Sequence, residues 1–209
     1  MKTVIRLSCL LIIATAALFL NGCAVTKDYV SLNYTNQTNV IKLAGAESVS
    51  VKVEFTDTRS IKDRVGSKKN GYGMEMAAII SKEEVTDIMK KAVESELTQR
   101  GFRIAEGDFA LKAQLAKFYN DFKVGFWSGD AVAEITMEVQ LRNADGTITY
   151  SKLLSGEGKK ENIQLASGAN AKVALEGAMQ NVVERLFADP IFIDTLLKRP
   201  VGRTVTTSK

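Results

Sequence analysis

The chain contains no histidine among its 209 residues and only two cysteines. Histidine is the commonest general base and the commonest zinc ligand, so its absence excludes Ser–His and Cys–His catalytic arrangements and most zinc sites. Cys9 lies within an apolar N-terminal run and Cys23 lies just after it. If Cys9 is removed and Cys23 is modified, no thiol is left for a disulfide or a metal. We therefore predict neither a metal nor a cofactor.

Long hydrophobic runs are also scarce, and residues 10–20 form the only one, after a positive start made by Lys2 and Arg6. This run is shorter than the about 20 apolar residues that span a bilayer, but it suits the hydrophobic part of a signal peptide. The residues after it, LNGC at positions 20–23, resemble the lipobox of bacterial lipoproteins. An uncleaved membrane anchor with an incidental cysteine is the alternative.

The lipobox resemblance implies that residues 1–22 are a signal peptide and that the mature chain begins at Cys23. The Cys23 thiol would carry diacylglycerol, and its freed amine would carry a further acyl chain such as palmitate. Two or more acyl chains anchor a protein stably, so we expect attachment to the membrane through these chains. Ala24 follows the cysteine, where an Asp would resemble an inner-membrane retention signal. We therefore expect the outer membrane, with the protein facing the periplasm.

The charge of the chain is mild, and this argues against a nucleic-acid partner, which needs a clustered basic face. The formal charge is +4, of which Lys2 and Arg6 supply two. The 45% of apolar residues is enough for a core, and the length suits one domain with tails. We predict a lipidated cysteine and polar tether over residues 23–46, a single domain over 47–198 and a polar C-terminal tail over 199–209.

Four segments alternate apolar and polar residues, which is typical of half-buried strands. They are residues 49–55, 109–115, 133–141 and 148–154. The pair Asp145-Gly146 indicates a hairpin turn between the last two, because glycine readily adopts a positive φ. The first strand is followed by a polar, glycine-rich stretch to about residue 74, which we interpret as a loop.

Two longer segments carry apolar residues at helical spacing. The first follows the run SKEE at residues 81–84, which has the form of a capping box, and Gly101 ends it. The second covers residues 172–187 and stops at Asp189-Pro190, and a short helix follows. The order β-α-β-β-β-α predicts an α+β two-layer sandwich, with an antiparallel sheet of about four strands and two main helices on one face.

The stretch VSVKVEFTDTRSIKDRVGSKKN, residues 49–70, resembles the YajG-like family of bacterial lipoproteins. The resemblance lies in a strand that ends in Asp57-x-Arg59 and is followed by Val65-Gly66. The segments AVESELTQRGF and ALKAQLAKF are similar to the first helix of that family and to the strand after it. The resemblance implies an outer-membrane location and a fold, but no reaction.

Four residues are candidates for a partner-binding or structural role: Asp57, Arg59, Gly66 and Trp127. Asp57 and Arg59 are two apart at a strand end and would point the same way if the strand continues to Arg59. They either grip a partner, such as a carbohydrate or a protein edge, or hold the following loop as an ion pair, to which the planar guanidinium is suited. Trp127, the only tryptophan, lies in FKVGFWSGD. That segment is either an exposed aromatic cluster or a hairpin loop that closes one end of the core.

The segment GSKKNGYGMEM, residues 66–76, is rich in glycine but lacks the frame of a phosphate-binding loop. We expect a flexible surface loop, in which Lys68 and Lys69 could touch anionic headgroups or peptidoglycan. No other segment carries a catalytic signature, so we predict that the chain is not an enzyme.

Three functions follow as hypotheses. The leading one is a lipid-anchored periplasmic protein that binds another envelope component, either a protein or peptidoglycan. The second is an accessory subunit of an envelope transport or secretion machine. The third is a carboxylate-based glycan hydrolase, which would need two carboxylates facing across a cleft. The sequence leaves the oligomeric state open.

Overall fold

A computed structural model of the protein describes residues 26–125 and 128–198. Cys23 and Trp127 lie outside the described residues. These form eight strands and three helices, so the α+β class is confirmed and the predicted sheet of about four strands is an undercount. The elements are β1 Asp28–Val30, a 3-10 turn Ala46–Ser48, β2 Ser50–Asp57, β3 Gly66–Lys69, β4 Glu75–Ser81, α1 Val85–Gln99, β5 Arg103–Ile104, β6 Phe109–Val124, β7 Gly129–Asn143, β8 Ile148–Ile163, α2 Gly168–Phe187 and α3 Pro190–Leu197.

The three long strands β6, β7 and β8 form an antiparallel meander. The turn between β7 and β8 is confirmed, with Gly146 at φ +88°. All three strands are longer than predicted. In β6 the reason is a bulge between Leu115 and Lys117, which changes the phase of the alternation. Leu115 and Phe118 therefore both face the core, although they are three residues apart.

One edge of β6 is divided between two parallel neighbours, so the sheet is mixed rather than antiparallel as predicted. The first half of β6 pairs with β2, and Asn120, beyond the bulge, pairs with Gly66 of β3. Next to β3 come β4, antiparallel to it, and β1, parallel to β4. β5 pairs with β2. The stretch that we interpreted as a polar loop up to residue 74 thus contains β3 and leads directly into β4.

The helices pack on one face of the sheet and enclose a single hydrophobic core. α1 lies on β2, and α2 lies across β8 and β7. Two glycines of β8 let α2 approach the strand, because a Cβ on Gly156 would be 2.5 Å from the amide nitrogen of Val182, and one on Gly158 would overlap the Ala174 carbonyl oxygen. The glycines therefore set the distance between helix and sheet.

α2 also covers the free edge of β8. The Arg185 Nη1 donates to the Ser155 carbonyl oxygen at 2.7 Å, and Asn181 Nδ2 donates to the Glu157 carbonyl oxygen at 2.5 Å. Unpaired carbonyl groups on an edge strand are a template for pairing with another chain. The two side chains occupy them in the central part of this edge.

The predicted capping box is wrong. Ser81 is the last residue of β4, and its hydroxyl donates to the Glu83 carbonyl oxygen at 2.7 Å. α1 begins at Val85, and the residue before it, Glu84, makes no side-chain cap. The predicted end is confirmed, since Gly101 has φ +97°. A strand that runs up to Ser81 leaves this residue too far from the helix to cap it.

The end of α2 at Asp189-Pro190 is also as predicted, whereas its start at Gly168 is four residues earlier than the predicted residue 172. Ser167 caps this start, accepting from the Asn170 amide at 3.4 Å. Asp189 in turn caps α3 by accepting from the Ile191 amide at 2.9 Å.

The segment that we predicted to be a tether is packed on the domain from Asp28 onwards. β1 adds a strand beside β4, and Val30 and Leu32 are buried in the core. The Tyr34 hydroxyl donates to the buried Glu96 carboxylate at 2.9 Å. The folded unit therefore begins about twenty residues before the predicted residue 47. The apolar residues of this segment are too sparse to form a visible pattern in the sequence, and they are buried only against other parts of the domain.

No helix among residues 26–125 and 128–198 is both long and apolar enough to cross a membrane.

Candidate functional site

Asp57, the last residue of β2, forms a bidentate ion pair with Arg59. The Asp57 Oδ1 accepts from the Arg59 Nε at 2.9 Å, and its Oδ2 accepts from Nη2 at 2.9 Å. The Arg59 backbone amide also donates to Oδ1, at 3.0 Å. The same carboxylate thus fixes both the side chain of Arg59 and the turn of the backbone that brings it there.

The remaining contacts of the pair lie within the loop that follows. Arg59, only 5% exposed, also donates through Nη2 to the Lys62 carbonyl oxygen at 3.3 Å. The Lys62 ammonium donates back to the Asp57 carbonyl oxygen at 2.9 Å. The hydrogen bond from Arg59 lowers the pKa of Asp57, against the opposing effect of burial, and favours an ionised carboxylate.

Gly66 lies where this loop ends and β3 meets β6. A Cβ on Gly66 would be 3.0 Å from the Asn120 carbonyl oxygen and 3.4 Å from the Asn120 Cβ. Beside this contact, the Val65 backbone amide donates to the Ile79 carbonyl oxygen at 2.8 Å. The Asn120 backbone amide donates to the Val65 carbonyl oxygen at 2.7 Å. The absence of a side chain therefore lets β3 come into register with β6.

The structure thus brings Asp57, Arg59 and Gly66 to the two ends of one loop, which we call the Asp57 loop (residues 57–66). Both carboxylate oxygens of Asp57, and the Nε and Nη2 groups of Arg59, form hydrogen bonds within this loop. These contacts match the second predicted role of the pair, that of holding the loop. Among the described residues there is also no group of three or more His, Cys, Asp or Glu that could hold a metal ion.

Lys68 and Lys69, which we expected to be available to anionic headgroups, are paired within the domain. Lys68 is buried and its Nζ lies 3.1 Å from Asp28 Oδ1. Lys69 Nζ lies 2.5 Å from Asp121 Oδ1. Asp28 uses its other oxygen to accept from the Gly168 amide, at 2.7 Å, at the start of α2. A carboxylate is favoured at a helix N-terminus. Asp28 therefore stabilises the start of α2 and also neutralises the buried charge of Lys68.

A second cluster, around Glu96, was not predicted. Glu96 is fully buried on the apolar stripe of α1, and Arg100 pairs with it at 2.5 Å. The guanidinium carbon of Arg100 is 4.3 Å from the centre of the Phe187 ring, a cation–π contact. The Tyr34 hydroxyl and the backbone amide of Gln37 donate to the Glu96 carboxylate. Burial, and then the hydrogen bond to Glu96, raises the pKa of Tyr34.

The sequence contains a signal for this second cluster. Glu96 occupies a position that the helical spacing assigns to the apolar stripe, and an arginine follows it four residues later, one turn further along the same face. A charged residue at a core position with its partner one turn away indicates a buried ion pair. No such local signal exists for Asp28 and Lys68, whose segments are far apart in the sequence.

A cleft of about 540 Å³ lies between the N-terminal segment and the start of α1. Its lining residues are Leu32, Asn33, Tyr34, Asn36, Glu83, Glu84, Asp87, Ile88, Lys91, Ala92 and Ser95. The three carboxylates among them belong to the wall formed by the start of α1. The opposite wall, from residues 32–36, carries none, so this cleft does not present the facing pair that glycan hydrolysis requires.

Comparison with protein families decides the family of the chain. The model of the Lipoprotein_16 family, described as uncharacterised lipoproteins, matches residues 37–196. The chain belongs to this family. The match confirms the lipoprotein part of the predicted resemblance, and the narrower YajG-like assignment stays a prediction. A search of curated proteins finds no match.

The chain is similar to several solved structures of bacterial proteins. A Xanthomonas campestris protein of the DUF330 family superposes with a TM-score of 0.52 at 15% identity, over 82% of this chain and 95% of that chain. A candidate lipoprotein from Caulobacter crescentus has a TM-score of 0.41 at 11% identity, over 64% and 86% of the two chains. A minor lipoprotein from Acinetobacter baumannii gives 0.39 at 10% identity, over 65% and 88%. At these identities the first comparison shows a shared fold alone.

Proposed function

We propose that this protein is a non-enzymatic lipoprotein of the bacterial outer membrane, held by acyl chains on Cys23 and facing the periplasm, where it binds another envelope component. Within the Lipoprotein_16 family, we propose the YajG-like group as its place, on the pattern of Asp57, Arg59 and Gly66. The lipobox at residues 20–23 and the family match support the anchor.

The observation that carries this proposal is the position at which the fold begins. Asp28, five residues after Cys23, is fixed by its ion pair to Lys68 and its hydrogen bond to the start of α2. Five residues span at most ~18 Å. An acylated Cys23 would therefore hold the folded domain directly at the bilayer, which suits a protein that works at the membrane surface.

Within the described residues, the contacts of the candidate site fit a structural or binding role. Asp57 and Arg59 are engaged within their own loop, and the cleft beside the start of α1 carries carboxylates on one wall only. A protein that holds or recognises an envelope component needs neither a free catalytic pair nor two carboxylates that face each other across a cleft. The component is a protein or peptidoglycan, and a fixed protein partner would make the chain an accessory subunit of an envelope machine.

Metabolic labelling with radioactive palmitate tests the anchor. We expect Cys23→Ser to lose the label and to leave the membrane fraction, since the thioether cannot form. Cys9→Ser is the matched control, because that cysteine lies within the proposed signal peptide, and it should keep the label. Equal labelling of the wild type and of Cys23→Ser would contradict the proposal.

Cross-linking in intact cells with the acylated protein as bait, followed by mass spectrometry, tests the binding role. One dominant protein that remains cross-linked after stringent washing would support the accessory-subunit form of the proposal. Cross-links to peptidoglycan fragments would support the glycan-binding form. Neither kind of cross-link, in cells where the bait is acylated, would contradict a binding role.

A further inference from the structure

The turn between β3 and β4 is well formed and presents apolar side chains to solvent. Asn70 Oδ1 accepts from the amides of Tyr72 and Met74, at 3.0 Å each, and the Asn70 amide donates to the Met74 carbonyl oxygen at 3.0 Å. Tyr72 is 92% exposed, and Met74 is more than half exposed. We call residues 70–74 the Tyr72 turn. The hydrogen bonds within it fix an aromatic ring outside the domain.

The direction of the strands places this turn at a defined end of the sheet. β3 runs parallel to β6, and β4 begins where β3 ends. The same end therefore contains the Tyr72 turn, the end of β6, the end of β8 and the start of α2. Leu165, just before α2, is a further apolar side chain at this end that is more than half exposed.

The N-terminal end of β1 points toward the same end of the sheet. β1 is parallel to β4, with Asp28 opposite Ile79, so the start of β1 and the start of β4 face the same way. Cys23 lies five residues before Asp28, a reach of at most ~18 Å. β6, with 16 residues, is about 50 Å long, so the anchor is short compared with the domain.

We infer that the Tyr72 turn rests on the lipid bilayer, with Tyr72 and Met74 at the level of the headgroups. This inference rests on the proposed anchor at Cys23. Asp28 lies opposite Ile79, four residues from the start of β4, and the chain before it points toward the turn. Because the anchor is short, it holds this end of the domain near the bilayer. Tyrosine is enriched at membrane interfaces, where the ring meets the apolar layer and the hydroxyl meets water.

The opposite end of the sheet provides the comparison. The turn between β7 and β8, residues 144–147, is polar and lies at the far end of the long strands. The reach of the anchor is less than half the length of β6, so a domain that stands on its Tyr72 end keeps residues 144–147 away from the lipid. The inference therefore predicts different surroundings for two turns of the same domain.

The experiment uses the full acylated protein, purified from membranes and reconstituted into vesicles of phosphatidylethanolamine and phosphatidylglycerol. Gly71→Cys places a single free thiol beside Tyr72, at a position where a Cβ meets no atom within 4 Å. The thiol is labelled with the environment-sensitive fluorophore NBD. Ala144→Cys, labelled in the same way, is the matched control. Flotation of the vesicles measures the anchor separately.

We expect the emission of the label at residue 71 to shift to the blue in vesicles and to be quenched by spin-labelled lipids, and the label at residue 144 to show neither effect. Tyr72→Ser with Met74→Ser should reduce the shift at residue 71. A label at residue 71 that stays in water on protein that floats would overturn the inference and leave the anchor intact. Protein that does not float would overturn the anchor, and the inference with it.

Discussion

The backbone of Gly158 in β8 lies so close to that of Ala174 in α2 that no side chain fits between them. A Cβ built on Gly158 would overlap the Ala174 carbonyl oxygen and would approach the Ala178 amide as well. Gly177 faces this strand from the helix side, where a Cβ would lie 3.5 Å from the Gly158 Cα. The strand and the helix thus meet backbone to backbone, which maximises their contact across the core.

Gly158→Ala tests this contact. The methyl group must push α2 away from the sheet, because the atoms that it meets are backbone atoms, and we expect a loss of about 1–3 kcal/mol or more in the free energy of unfolding. Urea denaturation of fragment 24–198 measures it. Gly71→Ala, where a Cβ meets open space, is the control and should change stability by less than about 0.5 kcal/mol. Equal effects of the two substitutions would contradict the packing argument.

Asp57→Ala tests the ion pair of the Asp57 loop. The substitution leaves the buried Arg59 guanidinium without its carboxylate, and removal of one partner from a buried pair costs about 3 kcal/mol or more. Asp63→Ala removes a carboxylate from the same loop whose side chain is 76% exposed and 3.9 Å from Arg64. We expect that control to be nearly neutral in urea denaturation. A neutral Asp57→Ala would show that the loop does not depend on the pair.

The acid dependence of stability follows from the same carboxylate. The folded pKa of Asp57 is lowered, chiefly by the hydrogen bond from Arg59, below the ordinary value of 3.8. The stabilisation is therefore present at pH values above 3.8 and is lost as the pH falls through the folded pKa.

We expect the stability advantage of the wild type over Asp57→Asn to be constant near neutral pH and to shrink below pH 3.8. Denaturation midpoints of the two chains, measured over a series of acid buffers, check this. An advantage that is unchanged well below pH 3.8 would mean that the carboxylate charge does not contribute.

Removal of residues 24–46 tests whether the N-terminal segment belongs to the fold. Fragment 47–198 lacks the buried Val30 and Leu32, each of which contributes about 1.5–3 kcal/mol by burial. It also leaves Glu96 without the hydrogen bonds from the N-terminal segment. We expect it to be several kcal/mol less stable than fragment 24–198, as measured by urea denaturation.

A milder variant separates the two contributions to that loss. Tyr34→Phe keeps the packing of the segment and removes one hydrogen bond to the Glu96 carboxylate, which contributes about 1.5–3 kcal/mol. If fragment 47–198 were as stable as fragment 24–198, the segment would be a tether after all, and Tyr34→Phe would be neutral.

The side chains of Arg185 and Asn181 allow a test of the β8 edge. The double substitution to alanine frees the carbonyl groups of Ser155 and Glu157 for pairing with a second chain. We expect concentration-dependent association in analytical ultracentrifugation. Glu184→Ala, at an exposed position of the same helix, should leave the sedimentation unchanged. Association of both variants alike would point to a general loss of solubility instead.

The elements that depend on local patterns could be predicted from the sequence, whereas those that depend on contacts between distant segments could not. The long strands of the meander and the turn at Gly146 were predictable, because alternation and turn chemistry are local. β1 and β3 were not predictable, because three or four residues show no period and form strands only beside β4 and β6. The ion pair of Asp28 and Lys68 was hidden for the same reason.

The sequence identified the residues of the candidate site, but it did not decide between the two roles proposed for them. The spacing of Asp57 and Arg59 placed the two side chains together, and the structure shows where their hydrogen bonds go. Which partner takes each donor depends on the course of the following loop, which no pattern encodes. In contrast, the pair Glu96 and Arg100 follows from helical spacing alone, once an acidic residue within an apolar stripe is recognised as a buried ion pair.

The hydrogen bond from Gly168 to Asp28 joins residues 140 positions apart, and this has a consequence for the order of folding. The contact cannot form until α2 has been made, and closing so long a loop costs conformational entropy before any stabilisation is gained. The contact of β1 with the start of α2 therefore forms only once residue 168 is in place, after most of the chain has been made, whereas the pairing of β1 with β4 needs no residue beyond Ser81.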